Sequence, residues 1–60
     1  MSELRIKIRM DNAAFDPDFE FEAARILRET AERIEQRGED GFSLMDYNGN
    51  KVGEYDIIPD

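Results

Sequence analysis

Cysteine and histidine are both absent from this 60-residue chain. The first absence excludes a disulfide framework, a zinc finger and a thiol nucleophile, and it fits a reducing compartment. With neither residue present, the side chains left as candidate nucleophiles are Ser2, Thr30 and Ser43. None has a recognisable base or a glycine-rich phosphate cradle nearby in the chain, so the expectation is a protein that is not an enzyme. Long apolar runs are also lacking. There is no stretch of 7 to 15 apolar residues for a signal peptide and none of about 20 for a membrane span, so the expected location is the cytoplasm.

Bases are scarce: 8 Lys and Arg stand against 15 Asp and Glu, for a net charge of −7. The excess is local. Residues 1–10 set Glu3 against Arg5, Lys7 and Arg9, and residues 23–38 set three glutamates against Arg25, Arg28, Arg33 and Arg37, so neither segment is acidic. Residues 11–22 carry Asp11, Asp16, Asp18, Glu20 and Glu22 with no base, while residues 39–60 hold six acids, Glu39 and Asp40 among them, against Lys51 alone. A field of that sign repels nucleic acid and anionic membranes and attracts basic surfaces.

What is present is patterned apolar residue, 40% of the chain, which argues for one folded domain over residues 1–60. A chain of this size removes only about 60% of its unfolded surface, so an enclosed active site is not expected. Leu4, Ile6, Ile8 and Met10 alternate with Arg5, Lys7 and Arg9, the period of a strand over residues 3–10 with one buried face. Asp16 offers a capping acceptor and Pro17 suits a first helical position, and the apolar spacing predicts an amphipathic helix over 17–37 that Gly38 ends. Its predicted inner stripe is Phe19, Ala23, Leu27, Thr30, Ala31 and Ile34, with Glu22, Arg25, Glu29, Glu32 and Gln36 outward.

Two further strands, 42–47 and 51–58, flank Asn48-Gly49, a pair suited to a type I′ hairpin turn. That register faces Leu44 with Gly53 and Phe42 with Tyr55, and leaves Met45, Val52, Glu54 and Asp56 on the other side. The acids of the last strand complement the bases of the first. The expected fold is α+β in β-α-β-β order, a three-stranded antiparallel sheet of order 2-3-1 with the helix across one face.

Asp46, Asn48 and Asn50 have the oxygen spacing that opens an EF-hand loop, but Lys51 and Ile57 occupy positions that need Gly and Glu, so no metal or other cofactor is expected. Asp16, Asp18 and Glu20 fit capping and the helix dipole before they fit a carboxylate site. Phe21 falls about 120° from the stripe centre, a packing residue at a sheet edge or an exposed contact. Met45, Tyr47 and Val52 form a second apolar patch.

The segments Arg9–Phe15, Ala24–Glu29 and Asn48–Tyr55 resemble a group of short acidic phage and prophage proteins that carry no assigned activity. Small size, acidity and that likeness together resemble the anti-CRISPR proteins, some of which mimic DNA. The resemblance implies an inhibitor whose carboxylates occupy the basic, DNA-binding groove of a type I CRISPR surveillance complex in the cytoplasm of a bacterial host. Asp11, Asp16, Asp18, Glu20, Glu22, Glu39 and Asp40 would make that contact, from a monomer. The alternative is a small accessory or regulatory module that binds a host protein through an apolar patch.

Overall fold

Alternation and helical periodicity produce the expected elements. The computed structural model describes residues 2–59. Strand β1 runs Glu3–Ile8, a 3₁₀ turn spans Ala13–Phe15, helix α1 runs Phe19–Arg37, and β2 (Gly41–Met45) and β3 (Lys51–Ile58) complete the chain. The sheet order is β1-β3-β2, both pairings antiparallel. This is the α+β, β-α-β-β arrangement that the periodicities and cross-strand charges predict. Arg5 lies opposite Asp56 and Lys7 opposite Glu54, so the bases of β1 do face the acids of β3.

The element ends differ in ways that have local causes. β1 stops at Ile8 rather than Met10. Asn12 then caps the 3₁₀ turn, its Oδ1 accepting from the Ala14 N–H at 2.9 Å, and the turn seats Phe15 in the core. The Asp16–Pro17 peptide is cis, and the helix starts at Phe19 rather than Pro17. Asp18 holds the N-cap position without a side-chain cap hydrogen bond. At the other end Gly38 adopts φ 60° and donates its N–H to the Ile34 carbonyl, the left-handed ending that glycine permits.

The turn between β2 and β3 is a type I turn followed by a left-handed glycine, not the type I′ turn expected. Gly49 N–H donates to the Asp46 carbonyl at 3.0 Å, Gly49 has φ 86°, and Asn48 keeps negative φ. The reason is Asp46, whose buried carboxylate accepts from the Asn48 and Asn50 N–H groups, both at 2.9 Å, and so prescribes the loop. β2 consequently ends at Met45 instead of Tyr47. A bulge follows: Leu44 pairs with Gly53 and Met45 with Lys51, which leaves Val52 as the extra residue. The bulge breaks the in–out alternation and turns Val52 into the core, where the simple hairpin register placed it on the open face.

The core is Phe15, Ile26, Leu44, Val52 and Tyr55, with Ile8, Ala14, Ile34, Phe42 and Ile57 packed around it. Burying each large side chain contributes about 1.5–3 kcal/mol. The Phe42 and Tyr55 rings stack at 4.6 Å, and the Arg33 guanidinium lies 3.9 Å over the Phe42 ring.

The helix buries Glu22, Ile26 and Thr30, a stripe rotated about one residue from the apolar spacing. Phe19, Leu27 and Ala31, predicted inward, are exposed, and Glu22, predicted outward, is buried. Two polar contacts explain the rotation. Glu22 accepts from the Tyr47 N–H at 2.8 Å, and Arg33 reaches Phe42, so the helix sits over β2 and β3. The β1 half of that face stays uncovered: Leu4 is 49% exposed and Ile6 38%. Among the described residues no helix is long and apolar enough to cross a membrane.

Candidate functional site

The N-terminal pole of α1 gathers features scattered in the sequence. The 3₁₀ turn packs against α1, so Asp16 and Asp18 lie in the short link at the helix start, with Glu20 in the first turn. The hairpin loop is fastened beside them by two buried carboxylates. Asp46, 4% exposed, accepts from Asn12 Nδ2 at 2.8 Å, which ties the loop to the 3₁₀ turn. Glu22, 7% exposed, accepts from Arg25 Nε at 2.8 Å, Arg25 Nη2 at 2.7 Å and the Tyr47 N–H, which ties the loop to the helix.

Both carboxylates are held in their charged form. The Arg25 hydrogen bonds keep Glu22 below the usual carboxylate range against the opposing pull of burial, and the Tyr47 N–H assists. For Asp46 burial is the largest single influence and acts upward, but the donors of Asn50, Asn48 and Asn12 together outweigh it and the net direction is downward. The Arg25 guanidinium is raised from its ordinary value by the same bonds to Glu22.

At this end of the molecule Phe21, 73% exposed, and Tyr47, 63% exposed, line a shallow groove with Pro17, Asp16, Asp18 and Arg25. Asp11, Asp16, Asp18 and Glu20 are exposed, and none has an ion pair among the described residues. The capping role expected of Asp16 and Asp18 is not performed by their side chains. The Asp18 charge, at the N-cap position, still sits where the helix dipole favours anions. Of the two readings of Phe21, the exposed one is what the fold presents.

The seven acids named as partner contacts do not lie together on one surface. Glu22 is internal and its oxygens are occupied by Arg25 and Tyr47. Glu39 accepts from Arg33 Nε at 3.0 Å and lies 3.9 Å from Arg37, at the far end of the helix. Asp40 is exposed beside it, and its carbonyl accepts from the Ile57 N–H. The 19 residues of α1 put about 28 Å between the two acidic ends. The acids that share a groove with Phe21 and Tyr47 are Asp16 and Asp18, while Asp11 and Glu20 are exposed.

Asn12 and Asp46 are the organising residues that the acid count misses. Their signal was present in the spacing Asp46-x-Asn48-x-Asn50, which is also the signature of an aspartate hydrogen-bonded to the N–H groups two and four residues on. Among the described residues no group of three or more His, Cys, Asp or Glu could hold a metal ion. Comparison of the chain with protein-family models, with curated proteins and with solved structures finds no match.

Proposed function

We propose that this chain is a binding module that presents its acidic and aromatic pole to a basic protein surface, in the manner of a DNA mimic. The observation that carries the reading is that Asp11, Asp16, Asp18 and Glu20 are exposed and none forms an ion pair among the described residues, Arg25 at the same groove being bonded to Glu22 and Glu29. Spaced carboxylates on a rigid element stand in for phosphates against Lys and Arg, with fast, salt-sensitive association. Phe21 and Tyr47 would supply the desolvated centre that charges alone do not. The likeness to short acidic phage proteins makes the DNA-binding groove of a type I CRISPR surveillance complex the partner to test first.

A second reading rests on the exposure of Phe21 and Tyr47: an apolar contact to a host protein, with the acids serving solubility. One experiment separates the two. Binding to purified type I surveillance complex is measured by surface plasmon resonance at about 50 and 200 mM salt, for the native chain, for Asp16→Lys/Asp18→Lys/Glu20→Lys and for Phe21→Ala/Tyr47→Ala. Mimicry predicts binding that weakens steeply with salt, is competed by target duplex DNA and is abolished by charge reversal. Binding that ignores salt and the reversal but fails in the aromatic variant supports the second reading. No binding of the native chain rejects this complex as the partner. Glu22, included in the acid count from sequence, is excluded from the reversal set because its loss would disturb the scaffold.

A further inference from the structure

The free edge of β1 differs in chemistry from the acidic pole. The Arg9 N–H donates to the Val52 carbonyl at 2.7 Å. In an antiparallel ladder, bonding direction alternates along the strand, so Arg5 and Lys7 also bond to β3 while the N–H and C=O groups of Leu4, Ile6 and Ile8 point away from it. No strand pairs with that edge among the described residues.

The two faces of this edge differ in chemistry. On the helix-bearing face lie Leu4 and Ile6, both exposed, and the flank of α1 that looks toward β1 carries Leu27 and Ile34. Their side follows from the helix geometry, because the opposite flank, with Arg25, Glu29 and Gln36, borders β2. On the bare face lie Arg5, Lys7 and Arg9. Among the described residues Arg5 pairs with Glu3 of its own strand, Arg9 stands 3.7 Å from Glu54, and Lys7 has no ion pair.

β3 already shows what β1 accepts on its other side: a strand with Tyr55 and Ile57 toward the helix and Glu54 and Asp56 toward the bases. We infer that the free edge of β1 takes an extended segment of a partner protein in which apolar and acidic residues alternate, added as a fourth strand. Its backbone satisfies the outward groups of Leu4, Ile6 and Ile8, its apolar side chains cover Leu4 and Ile6, and its carboxylates meet Arg5, Lys7 and Arg9. A second copy of this chain is a poorer occupant. Antiparallel pairing of β1 with itself about a two-fold axis at Arg5 or Ile6 sets Arg5 against the Arg5 or Lys7 of the copy, the like-charge arrangement by which edge strands resist self-addition.

The test uses the intact protein, isotope-labelled, titrated to millimolar concentration with capped nine-residue peptides: one alternating valine and glutamate, one alternating valine and lysine, and the glutamate peptide with a central proline. The expected result is amide shifts and slowed hydrogen exchange at Leu4, Ile6 and Ile8 with the glutamate peptide. The lysine and proline peptides bind at least about tenfold more weakly, and Lys7→Gln weakens the glutamate peptide. Shifts confined to Gly41 and Ser43 on the β2 edge, shifts at Phe21 and Tyr47, or no shift would each overturn the proposal. Concentration-dependent shifts at Leu4–Ile8 without peptide would overturn it in favour of a second copy. The outcome is independent of binding at the acidic pole, which the valine–glutamate peptide does not imitate.

Discussion

Replacing Glu22 with alanine should destabilise this protein far more than its place on the helical wheel implies. Its carboxylate accepts the Tyr47 N–H at 2.8 Å and two bonds from Arg25 while only 7% exposed. Losing the charged acceptor of this part-buried N–H costs about 1.5–3 kcal/mol. The pair with Arg25, whose side chain is 34% exposed, adds less than about 1 kcal/mol after solvent screening. The expected total is about 2–4 kcal/mol, a large share of the roughly 3–9 kcal/mol that holds a domain of this length. At about 4–8 °C per kcal/mol for a small domain, Tm falls by at least about 8 °C. Circular dichroism melts measure it, and amide exchange at Tyr47 locates it.

The pH dependence supplies a second arm. The folded-state pKa of Glu22 lies below its unfolded value, so its contribution is complete above that value, about 4.3, and is lost as pH falls through the folded-state value. The alanine variant should therefore lose less stability than the native chain between pH 5 and the acid limb. If Glu22→Ala melts within about 3 °C of the native protein at neutral pH, with Tyr47 equally protected, the account of how the loop is held to the helix is wrong.

Two further outcomes test the packing. Gly53→Ala should unfold the chain or shift β1, because a Cβ there collides with the Lys7 carbonyl across the ladder, where β1 cannot yield without breaking its pairing; the readout is the far-ultraviolet circular dichroism spectrum and melt. Leu44→Ala should cost about 2–5 kcal/mol, whereas Leu4→Ala should cost well under 1 kcal/mol in denaturant titration, since the first residue is in the core and the second is half exposed.

Much of the architecture was legible in the residues themselves. Two-residue alternation in β1, helical spacing ended by Gly38, and Asn48-Gly49 between two apolar runs define the elements because each rests on local backbone chemistry. The central position of β3 was also readable, since Glu54 and Asp56 complement Arg5 and Lys7 across the ladder. Tertiary contacts decided the rest. Periodicity favoured Phe19, Leu27 and Ala31 as the inner stripe, but the Tyr47 N–H needed an acceptor and Phe42 offered a face to Arg33, so the helix turned to bury Glu22. That rotation left Leu4 and Ile6 uncovered beside an edge that the sheet order already leaves free. Asp46 dictated a bulged hairpin that drew Val52 inward. Whether the seven acids share a surface was open in the sequence, and the fold divides them because a helix about 28 Å long separates their segments. A count of charges along the chain holds no information about such distance, and only the folded geometry shows which carboxylates stand together and which are already paired with this protein's own bases.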